Sequence, residues 1–177
     1  MKSVYKIFAY GSLINQTSLT KTVPEARNVI PAKVFGFSRM FNLASNYRFD
    51  PDHNSPVCVL NIAEGDAESV VNGICFEMDE VSIDKLLERE KGYDFCRIKA
   101  QHYYQDDRVF EAYYFRAYQF TPYKYLPNSS SQQHYLDLCL QGSQAYGDDF
   151  VTDFKNSTGF WGISSEQEQV AIWSGSY

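Results

Sequence analysis

Strand-like runs follow one another along this chain with few helices between them. Val4–Tyr10, Ala32–Leu43, Val57–Ala63, Val70–Met78, Cys96–Gln105 and Arg108–Tyr118 are rich in β-branched and aromatic residues, which suit a pleated, half-buried surface. Helical periodicity is confined to Asn15–Val23, residues 82–91 and Ser131–Tyr146, with Phe150–Phe154 continuing helically. A doubly wound parallel sheet needs a helical crossover between successive strands, so that class is excluded. The expectation is an α+β single domain built on a curled, mixed sheet. Asp106-Asp107 reads as the turn of a hairpin, Asp79 or Ser82 as a helix cap and Gly92 as a helix stop.

Composition narrows the function classes. The net charge of −6 argues against a nucleic-acid partner, since such domains carry basic faces. No apolar run approaches the ~20 residues that span a bilayer, and the start MKSVYKIFAY lacks a signal-peptide core, so a cytoplasmic protein off the membrane is expected. Cys58, Cys75, Cys96 and Cys139 are dispersed and read as reduced core residues. Residues 1–49 hold seven Lys/Arg and one acid, Glu25. That asymmetry either serves a small anionic ligand or is chance clustering. The 14 Tyr and 13 Phe fit β-rich packing or an aromatic-lined pocket.

Two places draw chemical attention. In the helix at 82–91, Ile83, Leu86 and Leu87 mark the buried stripe, and Glu90 takes its next position. A carboxyl buried there has a raised pKa suited to general acid/base work; alternatively the stripe escapes to solvent at the helix end. At the end of the first strand, Phe8-Ala9-Tyr10-Gly11-Ser12-Leu13 runs into a glycine turn. It is either an ordinary tight turn or one whose N–H groups converge on a carboxylate or an oxyanion. The three histidines lack zinc-site spacing, and His53 with Asp50 and Asp52 reads as a solvated polar loop. Ser12 is not in a G-x-S-x-G elbow, no phosphate-binding glycine loop is present, and Cys139 sits on a helix stripe as core.

With these residues in this order, the sequence resembles the γ-glutamylcyclotransferase-like superfamily. Tyr10-Gly11-Ser12-Leu13 looks like its strand-terminal loop, and Glu90-Lys91-Gly92-Tyr93 like its helix-end Glu. Gly36-Phe37-Ser38-Arg39-Met40-Phe41 is similar to a strand of the ChaC-type members, and His134–Gly147 to the late helix of the γ-glutamyl amino-acid enzymes. The resemblance covers most of residues 4–158 and implies one domain over 1–158 with a mixed, partly closed β-barrel flanked by helices; the tail at 159–177, without a counterpart in the family pattern, is expected to pack on that domain. It implies release of 5-oxoproline from a γ-glutamyl compound, with Glu90 as acid/base and Ala9, Tyr10, Gly11, Ser12 and Leu13 holding the substrate. Tyr113 and Arg39 are further implied substrate contacts, Tyr114 pointing to the opposite face. No metal or organic cofactor is required by this chemistry. The only implied partner is a small γ-glutamyl substrate, and oligomeric state is not legible. The leaving group stays open between an amino acid, the Cys-Gly of glutathione and another amine. A glutathione-specific ChaC-type enzyme and a non-catalytic binding module on the same fold are the alternatives.

Overall fold

The computed structural model describes residues 2–117 and 121–176. Five strands close into a barrel: β1 (Val4–Ala9), β5 (Val70–Asp79), β2 (Arg27–Phe35), β6 (Tyr93–His102) and β7 (Gln105–Ala117), in that order around the wall. Neighbours are antiparallel except β1 and β7, which meet in parallel at Ile7↔Tyr113. The architecture is α+β as expected, with the barrel fully closed. Its interior is filled by Phe8, Val34, Ile98 and Tyr114 among others. A second sheet, β4 (Ser55–Glu64), β3 (Phe37–Asp50) and β8 (Thr158–Phe160), packs with the helices over the outer face of β1 and β5 in one continuous core.

The run Ala32–Leu43, expected as one strand, is divided between two sheets. Gly36 breaks it at φ +81°, a conformation with a steric penalty for any side chain. The chain leaves the barrel there and returns beside it, with Gly36 N–H donating to Ser69 O and Gly65 N–H to Gly36 O. The expected hairpin turn also moves. Asp106 belongs to β7, and the turn is Tyr103–Tyr104; Tyr103 donates its N–H to Pro31 O and its hydroxyl to Asp153, tertiary partners that outweigh the local turn preference of Asp-Asp. Tyr118, placed at the end of this strand from sequence, lies outside the described residues.

Helix α1 (Gln16–Thr22) is capped by Asn15, whose Oδ1 accepts from the Thr17 and Ser18 N–H groups. Helix α2 (Glu80–Arg89) is capped by Asp79, which accepts from Ser82 N–H. Helices α3 (Ser130–Gln144) and α4 (Asp148–Asn156) are separated at Gly147, φ +105°. After β8 comes α5 (Glu166–Ser174), whose Ile172 is buried and whose Trp173 ring lies 5.2 Å from that of Phe160. No helix among the described residues is long and apolar enough to cross a membrane.

The contact that sets the candidate site is α3 against the turn before α1. At Gly142 the α3 backbone comes so close that an added Cβ would lie 2.6 Å from Asn15 Cα and 2.7 Å from Ile14 C. Backbone on both sides cannot retreat as a flexible side chain would. Gly142→Ala is therefore expected to destabilise the fold by about 1–3 kcal/mol, read as a drop in thermal midpoint of about 2–4 °C for each kcal/mol.

Candidate active site

The first strand delivers the loop. Ile7, Phe8 and Ala9 are buried in β1, and the chain then turns through Tyr10 and Gly11 into a 3-10 turn, Ser12–Ile14. The first bonds of that turn are Ile14 N–H→Gly11 O and Asn15 N–H→Ser12 O. The preceding N–H groups, on Gly11, Ser12 and Leu13, therefore have no partner in the turn itself. Tyr10 is held by its hydroxyl, which donates to Phe115 O at 2.6 Å.

Helix α2 delivers Glu90. Ser82, Ile83 and Leu86 are the buried residues of α2, whereas Leu87, expected on the stripe, is 36% exposed. Glu90 continues the Ile83–Leu86 line as the C-cap residue, its N–H bonded to Leu86 O at 2.9 Å. Gly92 follows at φ +93° and ends the helix. The side chain is half-buried. Desolvation pushes its carboxyl pKa up, and only the neighbouring Arg89 opposes this. Glu88 faces water beside Lys91, 78% exposed.

Glu90 and the loop share one cleft of about 250 Å³. Ala9, Tyr10, Gly11, Ser12 and Leu13 all line it, and Tyr93, Phe115, Tyr135 and Arg48 complete the walls. Burial first, then the neighbouring Tyr93 and the Glu90 charge, push the Tyr10 hydroxyl pKa up; burial and Glu90 do the same to Tyr93. Both tyrosines are thus neutral donors at physiological pH.

Two residues expected at the substrate stand elsewhere. Tyr113 does not line the cleft: its ring stacks on Phe95, centroids 4.6 Å apart, beside Tyr5. The choice of strand face is consistent, but Phe115, two residues on, is the one that reaches the site. Arg39 is also absent from the cleft. It is 1% exposed, and its guanidinium donates to Tyr10 O (3.1 Å), Asn72 O (2.5 Å), Asn72 Oδ1 (2.8 Å), Phe154 O (3.3 Å), Ser157 Oγ (2.7 Å) and Thr158 Oγ1 (2.9 Å). Its donors are taken up by the protein, the Tyr10 carbonyl among the acceptors, and it lies in the wall of a second, larger cleft.

Arg48, Tyr93 and Tyr135 were not singled out as site residues from sequence. Tyr93 and Tyr135 lie inside motifs the sequence displays; Arg48 has no local signal beyond the basic bias of the first 49 residues. In the Asp50–His53 segment, Pro51, Asp52 and His53 form an exposed turn, as expected, but Asp50 does not share their exposure. Asp50 is buried, accepts from the His53 ring, the Ser129 hydroxyl and two backbone N–H groups, and ties the turn to the start of α3. Among the described residues no group of three His, Cys, Asp or Glu is placed to hold a metal. Cys139 is buried, its thiol pKa pushed up to about 12 by desolvation. That suits the core role expected of it. A larger cleft of about 940 Å³, lined by Lys33, Tyr103 and Asp153 among others, shares no residue with the Glu90 cleft.

Against known proteins, the chain resembles three solved structures in fold. A γ-glutamyl cyclotransferase is 16% identical, with a TM-score of 0.69 over 98% of this chain and 100% of that one. An uncharacterized protein from Homo sapiens is 18% identical, with a TM-score of 0.69 over 96% and 98%. A selenomethionine-labelled γ-glutamyl cyclotransferase specific to glutathione, from yeast, is 17% identical, with a TM-score of 0.59 over 88% and 95%. No curated protein matches the chain. Residues 5–136, which include the Tyr10–Leu13 loop, the Arg39 strand, Glu90 and Tyr135, match the family model described as ChaC-like protein, and the chain belongs to that family.

Proposed function

We propose that the protein is a γ-glutamylcyclotransferase that releases 5-oxoproline and a free amine from a γ-glutamyl compound. The observation that carries this reading is the half-buried Glu90 carboxyl, its pKa raised, in one cleft with the Tyr10–Leu13 loop. The ChaC-like family match and the fold shared with γ-glutamyl cyclotransferases support it.

The substrate's α-amine is an ammonium at neutral pH and cannot attack. Glu90 takes one of its protons, and the freed nitrogen lone pair adds to the γ-carbonyl carbon of the same glutamyl unit. The bond closes a five-membered ring and leaves a tetrahedral centre bearing an oxyanion. The Gly11, Ser12 and Leu13 N–H groups are suited to hold that charge. As the oxyanion collapses to a carbonyl, Glu90 hands the first proton to the departing nitrogen and the bond to it breaks. Glu90 then takes the second proton from the ring nitrogen, positively charged since its attack, and passes it to the released amine. Attack is intramolecular, so the main task of the walls is to hold the glutamyl chain folded back on itself. Ala9 and Tyr10–Leu13 do this in the proposed complex; Tyr113 and Arg39 take no part in contacting substrate.

Incubation of the purified protein with γ-glutamyl-alanine, glutathione and a γ-glutamyl-alkylamine tests the reading through 5-oxoproline release. Glutathione is in the panel because a structural neighbour from yeast is a γ-glutamyl cyclotransferase specific to glutathione. Turnover of at least one member is expected. Binding without 5-oxoproline would leave a binding module on the same fold.

A further inference from the structure

The charged residues in the lining of the Glu90 cleft are Arg48, Arg89 and Glu90. Two guanidinium groups share this lining with one carboxyl, so the site is electropositive within a protein of net charge −6. Such a cleft draws in anions against the overall charge.

The two arginines differ. Arg89 is exposed, donates to Thr22 O at 3.1 Å, and its carbonyl accepts from the Tyr47 hydroxyl. Arg48 is half-buried, and among the described residues it makes no ion pair. Its position is fixed on two sides. Its backbone N–H donates to Ser45 Oγ at 2.9 Å, and its guanidinium carbon lies 5.2 Å from the centroid of the Tyr135 ring. The far end of that ring reaches the Gly11 turn: a Cβ on Gly11 would lie 3.0 Å from the Tyr135 hydroxyl. One tyrosine ring thus separates an unpaired, pre-oriented guanidinium from the loop assigned to the glutamyl unit.

We infer that Arg48 binds a carboxylate carried by the leaving amine, so that the cleft selects γ-glutamyl conjugates of amino acids or peptides over those of neutral amines. This rests on the 5-oxoproline reading above. The α-carboxylate is not the group Arg48 takes, because it is one bond from the carbon that bears the α-amine and must follow that amine to Glu90. Arg48 lies over the Tyr135 ring of α3, whereas Glu90 caps the end of α2. Arg48 also ends the segment Ser45–Arg48, whose Asn46 and Tyr47 are exposed at the mouth. The departing group points that way once the glutamyl chain lies against the loop. A planar guanidinium already aligned on an aromatic face is suited to bidentate capture of a carboxylate.

The test uses γ-glutamyl-alanine and γ-glutamyl-ethylamide, which differ only by the carboxylate on the leaving amine. In the wild-type protein kcat/KM for the alanine conjugate should exceed that for the ethylamide about tenfold or more. In Arg48→Met that ratio should collapse towards one, mainly through KM, and Arg48→Lys should restore part of it. Thermal midpoints of both variants separate this from loss of fold. The same pair is titrated by calorimetry into Glu90→Gln and Glu90→Gln/Arg48→Met, where the Kd ratio should behave alike. A wild-type ratio near one, or a ratio that survives Arg48→Met, overturns the inference. Absence of 5-oxoproline from both compounds and from glutathione overturns the catalytic reading alone. The two Kd ratios then decide Arg48: a tenfold preference erased by Arg48→Met supports it, while equal or undetectable binding rejects it.

Discussion

Glu90→Gln is expected to lower 5-oxoproline release by about 10²–10⁴-fold, the span that positioned general acid/base groups contribute, while making the folded protein more stable at neutral pH. Both effects have one cause. Burial holds the Glu90 pKa above its ordinary value, so the folded chain keeps this proton over a pH window in which the unfolded chain has lost it. The stability linked to that proton is complete below the unfolded pKa of ~4.3 and is lost as pH rises through the folded value. Above that, the fold carries the cost of a partly desolvated carboxylate, which glutamine removes. The thermal midpoint of Glu90→Gln should therefore exceed that of the wild type at pH 7.5, and the two should converge as pH falls below 4. The acid limb of wild-type kcat/KM should lie above the ordinary carboxylate range, because the base acts ionised. Glu88→Gln, on the exposed face, should leave both profiles in place. If Glu88→Gln is instead the inactivating change, the assignment of base on this helix is wrong.

Arg39→Met is expected to cost about 3–5 kcal/mol, the range seen when one member of a buried charged network is removed. For a chain of this length that corresponds to ~6–20 °C in thermal midpoint. Among the described residues the guanidinium has no carboxylate partner; neutral acceptors on β5, on the Tyr10 turn and at the C-terminal end of α4 surround it. The Phe154 carbonyl belongs to the negative end of the α4 dipole, which favours a cation there. The Phe154 ring also lies 3.9 Å under the guanidinium carbon. Desolvation still lowers the Arg39 pKa to about 9, so the group is charged but strained by burial. Methionine fills much of the volume and leaves the acceptors empty. Arg39→Lys should recover little, since one ammonium cannot span acceptors that a planar fork reaches together. Urea unfolding measures the loss. Residual turnover, compared at equal folded fraction, should also fall, because the Tyr10 carbonyl loses its anchor. A midpoint within 2 °C of wild type would show that these hydrogen bonds do not hold the three parts together.

What the sequence displayed and what it concealed divide along a physical line. Glu90 was legible because helical periodicity is local: Ile83, Leu86 and Glu90 occupy one stripe whatever the rest of the chain does. The Tyr10–Leu13 turn was legible because a glycine after a buried strand is a local signal. Arg39, Tyr113 and the two-sheet division were not. Whether a strand arginine faces ligand or protein depends on what packs over it, here Thr158 and α4, more than 110 residues away. Tyr113 and Phe115 share a face, and only barrel closure decides which one meets the cleft. The break at Gly36 gave a run with unbroken apolar pattern, since a positive φ reverses direction without altering composition. Arg48 was concealed for a similar reason, its aromatic partner Tyr135 arriving from a helix near the other end of the sequence.

The excursion that begins at Gly36 has its two roots side by side. Phe35 and Val70 are paired residues of β2 and β5, so the whole β3–β4 hairpin grows from two adjacent points on the barrel wall. A hairpin rooted this way can be lengthened, shortened or exchanged while every barrel strand keeps its register, because the loop it closes is already closed by the wall. Glu90 and the glycine turn are borne by the barrel strands and α2; Arg48 is borne by the hairpin. The hairpin also carries Arg39, which holds the Tyr10 carbonyl, so exchanging only its outer part around Ser45–Arg48 between relatives, with Arg39 kept, is the change expected to alter the choice of leaving amine proposed above while Glu90 and the glycine turn stay in place.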